Sequence, residues 1–206
     1  MKPKATIQWT LAFLLLASCM QAQSIWNTAH LANVKHSIHE PFYATTYEIL
    51  KAEADRLLDA QPLSVMMKEK TPASGDKHDY MSMGPYWWPD PSKPDGLPYI
   101  RKDGQRNPEL SKLDRNRLGD MAKAVTTLGI AYYFSGNEQY AKKATDFLNV
   151  WFLDAKTKMN PNLNYGQTIP GHRKGLGRGT GMIDTYCFVE MLDALTLLDS
   201  SKAMTP

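Results

Sequence analysis

Cysteine is almost absent: the 206 residues contain only Cys19 and Cys187. If the first belongs to a removed or modified leader, no intrachain disulfide remains to hold the fold, which must rest on a hydrophobic core. Long apolar runs are equally scarce. The longest, Leu11 to Ala17, is too short to span a bilayer. Charge of one sign is also lacking. The formal net charge of +3 drops to +1 once residues 1–18, with Lys2 and Lys4, are set aside. No broad basic field is left to favour nucleic acid or a membrane surface. With 43% hydrophobic and 22% charged residues the composition is that of a globular chain long enough for a substantial core.

The N-terminus reads as an address. Lys2 and Lys4, the run to Ala17 and the small residues after it have the order of a secretory signal, covering residues 1–23. Leu16-Ala-Ser-Cys19 also fits the cleavage box of bacterial lipoproteins, in which Cys19 becomes the lipidated first residue. Plain secretion, with cleavage near Ala22 to Ser24, is the alternative. Either way the expected location is the periplasm or cell surface, and any membrane attachment comes through a lipid on Cys19.

Residues 24–206 read as mostly helical. Tyr43 to Asp59 places Tyr43, Tyr47, Leu50, Ala54, Leu57 and Leu58 on one face. Leu118, Met121, Ala122, Val125, Leu128, Gly129 and Tyr132 form a second stripe, stopped at Gly136, and Asn137 is placed to cap the next helix. There the stripe is Tyr140, Ala141, Ala144, Phe147, Leu148 and Trp151. So short a link forces two antiparallel neighbours. A last helix is expected from about Met182 to Asp199, with Ile183, Cys187, Met191, Ala194, Leu195 and Leu198 inward. Helical hairpins that support long loops at one end predict an all-α architecture of α/α type, with its site in the loops.

Two long irregular segments separate the helices. Thr71 to Pro108 has prolines at 72, 85, 89, 91, 94, 98 and 108, which exclude regular helix over most of it. Asn160 to Gly181 has glycines at 166, 171, 175, 177, 179 and 181. Those glycines lack both a preceding strand and the Gly-Lys-Ser/Thr of a phosphate loop, so a nucleotide site is not expected. His36 and His39 stand three apart without a third ligand evident in the spacing, so no metal is expected. Cys187, in an apolar stretch, reads as a small core residue.

The first segment holds Tyr80, Tyr86, Trp87 and Trp88 among stiffening prolines, with Lys93, Arg101, Lys102 and Arg106 close behind. Aromatic faces stack on sugar rings, and the guanidinium fork suits carboxylates. The same rings can instead anchor the loop to the helices, and the cations can be scattered solvated charges. The second segment adds Asn164, Tyr165, Gln167, Arg173, Lys174 and Arg178, whose amides and cations also suit sugars. His78 and His172, one in each segment, can work as acid, base or carboxylate binder near neutral pH.

Three motifs carry a family resemblance. They are Lys77-His-Asp-Tyr-Met-Ser-Met-Gly-Pro-Tyr-Trp-Trp-Pro-Asp-Pro91, Asn162-Leu-Asn-Tyr-Gly-Gln167 with Ile169-Pro-Gly171, and Gly177-Arg-Gly-Thr-Gly-Met-Ile-Asp184. Over roughly Ser74 to Ser200 the chain resembles the alginate lyase superfamily of bacterial polysaccharide lyases. The resemblance implies an (α/α) toroid, β-elimination on a uronic-acid polymer such as alginate, an acidic polysaccharide as partner, and no cofactor. His78, Tyr80, Tyr86, Trp87, Trp88, Asn164, Tyr165, Gln167 and Arg178 would then line the cleft as binders. The family's later Asn-His pair, Arg and Tyr have no counterpart here, since no Asn-His dipeptide occurs. The expectation is therefore a truncated N-terminal portion with an incomplete toroid, no assigned catalytic residue, and apolar helix faces left exposed. Two other readings stay open. One is a non-catalytic surface glycan-binding protein. The other is a glycoside hydrolase, for which Asp79, Asp90 and Asp184 are the available carboxylates.

Overall fold

A computed structural model describes residues 24–204; the expected leader and Cys19 lie outside the described residues. Helix α1 (Thr28–His36) is capped by the Asn27 side chain, which accepts from the His30 N–H, and α2 (Pro41–Leu58) opens on a proline at its first turn. The proline starts α2 two residues ahead of the expected Tyr43. Helix α3 (Asp114–Ser135) is the axis of the molecule. All seven residues of its expected stripe are buried, and so are Ala124 and Ala131 on its flanks. It packs against α2, against α4 (Glu138–Leu148) and against α5 (Phe188–Thr196). Gly129 makes the last contact close, because a Cβ there would stand 3.0 Å from the Ala194 carbonyl oxygen.

The α3–α4 link follows the expected chemistry. Gly136 takes φ +69° and donates its N–H to the Tyr132 carbonyl at 2.7 Å, and Asn137 caps α4 by accepting from the Gln139 N–H at 3.0 Å. Helix α4 buries Tyr140, Ala141, Ala144 and Phe147, then widens into a π-helical turn, Asn149–Leu153, that brings Trp151 fully inside.

The C-terminal helix departs from expectation. Gly179–Cys187 winds as a 3-10 helix and only Phe188–Thr196 is α-helical. A three-residue turn changes which side chains share a face. Met191, Ala194 and Leu198 are buried as expected, whereas Ile183 is 61% exposed. Met182, Tyr186, Val189 and Leu192 are exposed along with Ile183. Among the described residues no helix is long and apolar enough to cross a membrane.

Short strands appear where none stood out in the sequence. β1 (Met81–Met83) pairs in parallel with β4 (Tyr165–Thr168), aligning Met81 with Tyr165 and Met83 with Thr168 across an irregularity. β2 (Trp87–Trp88) pairs antiparallel with β3 (Ile100–Arg101). Strands of two to four residues are too short to display alternation. Beneath them Met83, Tyr99, Leu110, Leu113 and Ile169 form a second core, separate from the helical one. The two irregular segments are thus joined into one ordered layer.

Candidate functional site

Asp184 is the buried centre of that layer. Its carboxylate accepts from Tyr80 Oη at 3.0 Å, from the Ser82 hydroxyl and from Gln167 Nε2 at 3.4 Å, and it pairs with Arg115 Nε at 3.2 Å. Asp184 is fully buried while Arg115 keeps 29% of its side chain exposed, so the cation faces outward over the knot. Beside them lies a cavity of about 540 Å³, lined by Arg115, Gly119, Ile183, Asp184, Tyr186 and Cys187.

Burial and the neighbouring Asp184 charge push the Tyr80 phenol far above its ordinary value, so it stays a neutral donor. Burial likewise raises the Cys187 thiol, whose Sγ lies 3.5 Å from the Asp184 carbonyl.

From this knot the chain builds outward to Arg178. Gln167 takes φ +51° and receives two guanidinium bonds, Arg178 Nη2 to its Oε1 at 2.6 Å and Arg178 Nε to its backbone oxygen at 3.1 Å. The guanidinium is therefore held in one orientation. Gly84 lets it meet the aromatic segment: a Cβ there would stand 2.7 Å from Trp87 Cδ1 and 2.9 Å from Arg178 Nη2. Trp87 also lies edge-on to His172, with centroids 5.4 Å apart.

The neighbouring Trp88 donates Nε1–H to the Gln105 carbonyl at 2.8 Å, and Lys102 Nζ sits 5.6 Å from its ring centre. Tyr86 is 38% exposed. Asn107, itself buried, fixes this strand by donating Nδ2–H to the Trp87 carbonyl at 2.8 Å.

His78 sits half-buried at the edge of the layer. Its Nδ1 lies 2.6 Å from the Lys158 carbonyl, which can only accept. The neutral ring therefore carries its proton on Nδ1 and leaves Nε2 as an acceptor. Asp79 beside it accepts from Ser74 at 2.7 Å, Asn160 at 2.9 Å and Asn162 at 3.0 Å. Burial works to raise this carboxyl, but those donors hold it below the usual range.

These positions divide the nine expected binders. Tyr86, Trp87, Trp88, His78, Arg178 and Asn164 retain exposed or half-exposed side chains. Tyr80, Tyr165 and Gln167 do not: they are 0%, 9% and 5% exposed. These three side chains are not sugar-facing in this structure, and Tyr80 and Gln167 direct their polar atoms to Asp184 and Arg178. The carboxylates weighed for hydrolysis are similarly engaged. Asp184 and Asp79 are buried among donors, and Asp90 accepts from its neighbour Ser92. Sequence reasoning missed Arg115, Ser82 and Asn107, whose partners Asp184 and Trp87 lie 20 to 102 positions away. Among the described residues no group of three His, Cys, Asp or Glu is arranged for a metal, and His39 packs edge-on to Tyr47 at 5.7 Å.

The glycines of the second segment serve contact between backbones. A Cβ at Gly177 would fall 2.3 Å from the Gly166 carbonyl oxygen, and one at Gly181 would fall 2.7 Å from it. Gly179, by contrast, has nothing within 4 Å. Gly177→Ala is expected to cost about 1–3 kcal/mol or more in urea unfolding, while Gly179→Ala stays within about 0.5 kcal/mol of the parent. Equal losses at both positions would refute this account.

A model of the family described as alginate lyase matches residues 64–206, which include all three motifs and every residue of the knot. The chain belongs to the alginate lyase family. A solved structure described as an alginate lyase from Bacteroides ovatus superposes with a TM-score of 0.87 at 69% identity, over 90% of this chain and 49% of that one. The chain thus spans about half the length of that relative. Among curated proteins no match is found. For this alginate lyase family member, the superposition supports the mostly helical fold.

Proposed function

We propose that this chain forms the sugar-binding part of a lyase that cleaves a uronic-acid polymer, alginate or a close relative, by β-elimination within an (α/α) toroid. The observation that carries the reading is the meeting of Arg178 and Trp87 over Gly84, from segments more than ninety positions apart. It sets a fixed guanidinium beside an aromatic ring, the pairing that suits an acidic sugar. Family membership supplies the reaction class.

In β-elimination the C5 proton of a uronate becomes removable when its carboxylate is neutralised by cations or hydrogen bonds. A base then takes that proton, electrons form the C4–C5 double bond, and an acid protonates the departing O4. Arg178 is suited to the neutralising contact, with Tyr86, Trp87, Trp88, His78 and Asn164 as the sugar-facing surface. None of these is assigned the base or the acid. Export, with Cys19 as a lipid attachment point, fits a polymer that is met outside the cell.

The direct test is to incubate the full-length protein with acidic polysaccharides and follow the absorbance of unsaturated uronate ends. Silence across all of them would sink the lyase reading. For binding, Trp88→Ala is the cleaner variant, because Trp87 also packs on the second core. It is expected to weaken alginate binding by about threefold to tenfold with the fold intact. Binding without turnover by the full-length protein would favour a surface glycan-binding protein instead.

A further inference from the structure

The turn carrying Arg173 and Lys174 adopts a backbone that neither residue type favours. Their φ angles are +49° and +53°, between Gly171 at +79° and Gly175 at +82°. Long L-residues seldom occupy this left-handed region, and two in succession are rarer. Packing explains the flanking glycines. A Cβ at Gly171 would stand 2.6 Å from Pro98 Cα, and one at Gly175 would stand 2.9 Å from Ala73 Cβ. Packing does not explain the two cations. Both are exposed, and neither makes an ion pair or a side-chain hydrogen bond among the described residues. Glycine at both positions would fold with less strain, so what these residues add is the cationic side chain itself.

The turn is also held firmly against the aromatic layer. Gly175 N–H donates to the His172 carbonyl and Leu176 N–H to the Arg173 carbonyl, each at 3.0 Å. His172 places Nε2 3.1 Å from the Tyr99 carbonyl and its ring edge-on to Trp87. The cations are thereby presented from a rigid turn next to the strand that bears Trp87 and Trp88, rather than from a loose loop.

We propose that Arg173 and Lys174 form a carboxylate-binding subsite that selects acidic over neutral sugars, in addition to the contact at Arg178. The proposal rests on the acidic-polymer reading above. Its test is the double variant Arg173→Gly/Lys174→Gly, with Arg173→Asn/Lys174→Asn as a second, since asparagine tolerates the left-handed region without charge.

Binding of alginate is measured by calorimetry at low and high salt, with dextran as the neutral control and thermal unfolding as the check on the fold. Expected is an intact fold and a rise in Kd for alginate of about tenfold at low salt, narrowing at high salt, in both variants. Unchanged alginate affinity in folded variants would overturn the subsite and leave the lyase reading standing. Failure of the unsubstituted protein to bind any uronate polymer would bring down that reading, and the subsite with it.

Discussion

Replacing Lys68 with methionine is expected to lower the unfolding free energy by about 3–5 kcal/mol. Lys68 and Asp114 are both 0% exposed, with Nζ 3.0 Å from Oδ2. The ammonium also donates to the carbonyls of Val65 and Lys77, each at 2.6 Å. Asp114 in turn accepts the Met81 N–H at 2.8 Å, tying the start of α3 to β1, while its Oδ1 has no partner. Removing the lysine strands a carboxylate that already lacks one hydrogen bond. Lys68→Met combined with Asp114→Leu should therefore lose less than Lys68→Met alone, which equilibrium urea unfolding of both would check. If the double variant proves the less stable, the buried pair contributes net attraction beyond its desolvation cost.

The same pair makes a pH prediction. Burial outweighs Lys68 and raises the Asp114 carboxyl from 3.8 to about 6, and burial chiefly lowers Lys68. With its folded value above its unfolded one, Asp114 binds a proton more readily in the native state. Its contribution to stability therefore grows as pH falls from about 7 to about 4. Asp114→Asn should remove that component, seen as a flatter dependence of the urea midpoint on pH over this range.

Asp184→Ala is the second large effect, expected to cost about 3–5 kcal/mol. Four donors converge on this carboxylate from α3, β1, its flank and β4, so the substitution leaves Tyr80 Oη, the Ser82 hydroxyl and Arg115 without their shared acceptor. Because Gln167 links the knot to Arg178, polymer binding should fall together with stability. Asp184→Asn preserves shape and one acceptor, and should lose about 1–3 kcal/mol. Hydrogen exchange at Gly84, whose N–H donates to the Thr168 carbonyl at 3.0 Å at the end of the β1–β4 pairing, would distinguish local from global loss. Protection retained there in Asp184→Ala would show that the β1–β4 pairing stands without the carboxylate.

The helices were legible because burial on one side of a helix leaves a period in the chain: Leu118 through Tyr132, the Gly136 stop and the Asn137 cap needed no distant information. The site was legible only in outline. Proline, tryptophan and glycine marked the two segments, but which rings face outward depends on pairings such as Tyr80 with Asp184, 104 positions apart. A tyrosine that stacks on sugar and one that donates to a buried carboxylate look alike in sequence. Ile183 was misplaced for a related reason. The tight approach of Gly181 to Gly166 accompanies a 3-10 winding that the helical period of its neighbours does not announce.

Trp151 is sealed in the helical core, whereas Trp87 and Trp88 stay half in contact with solvent. With Trp26, which is also half-buried, replaced by phenylalanine, this difference divides the fluorescence of the described tryptophans into two reporters. A small aqueous quencher should reach the loop indoles first, and a polymer lying across them should shield that fraction alone. The buried indole would remain silent to the quencher until the helices themselves come apart, giving occupancy and unfolding separate optical signals in one sample.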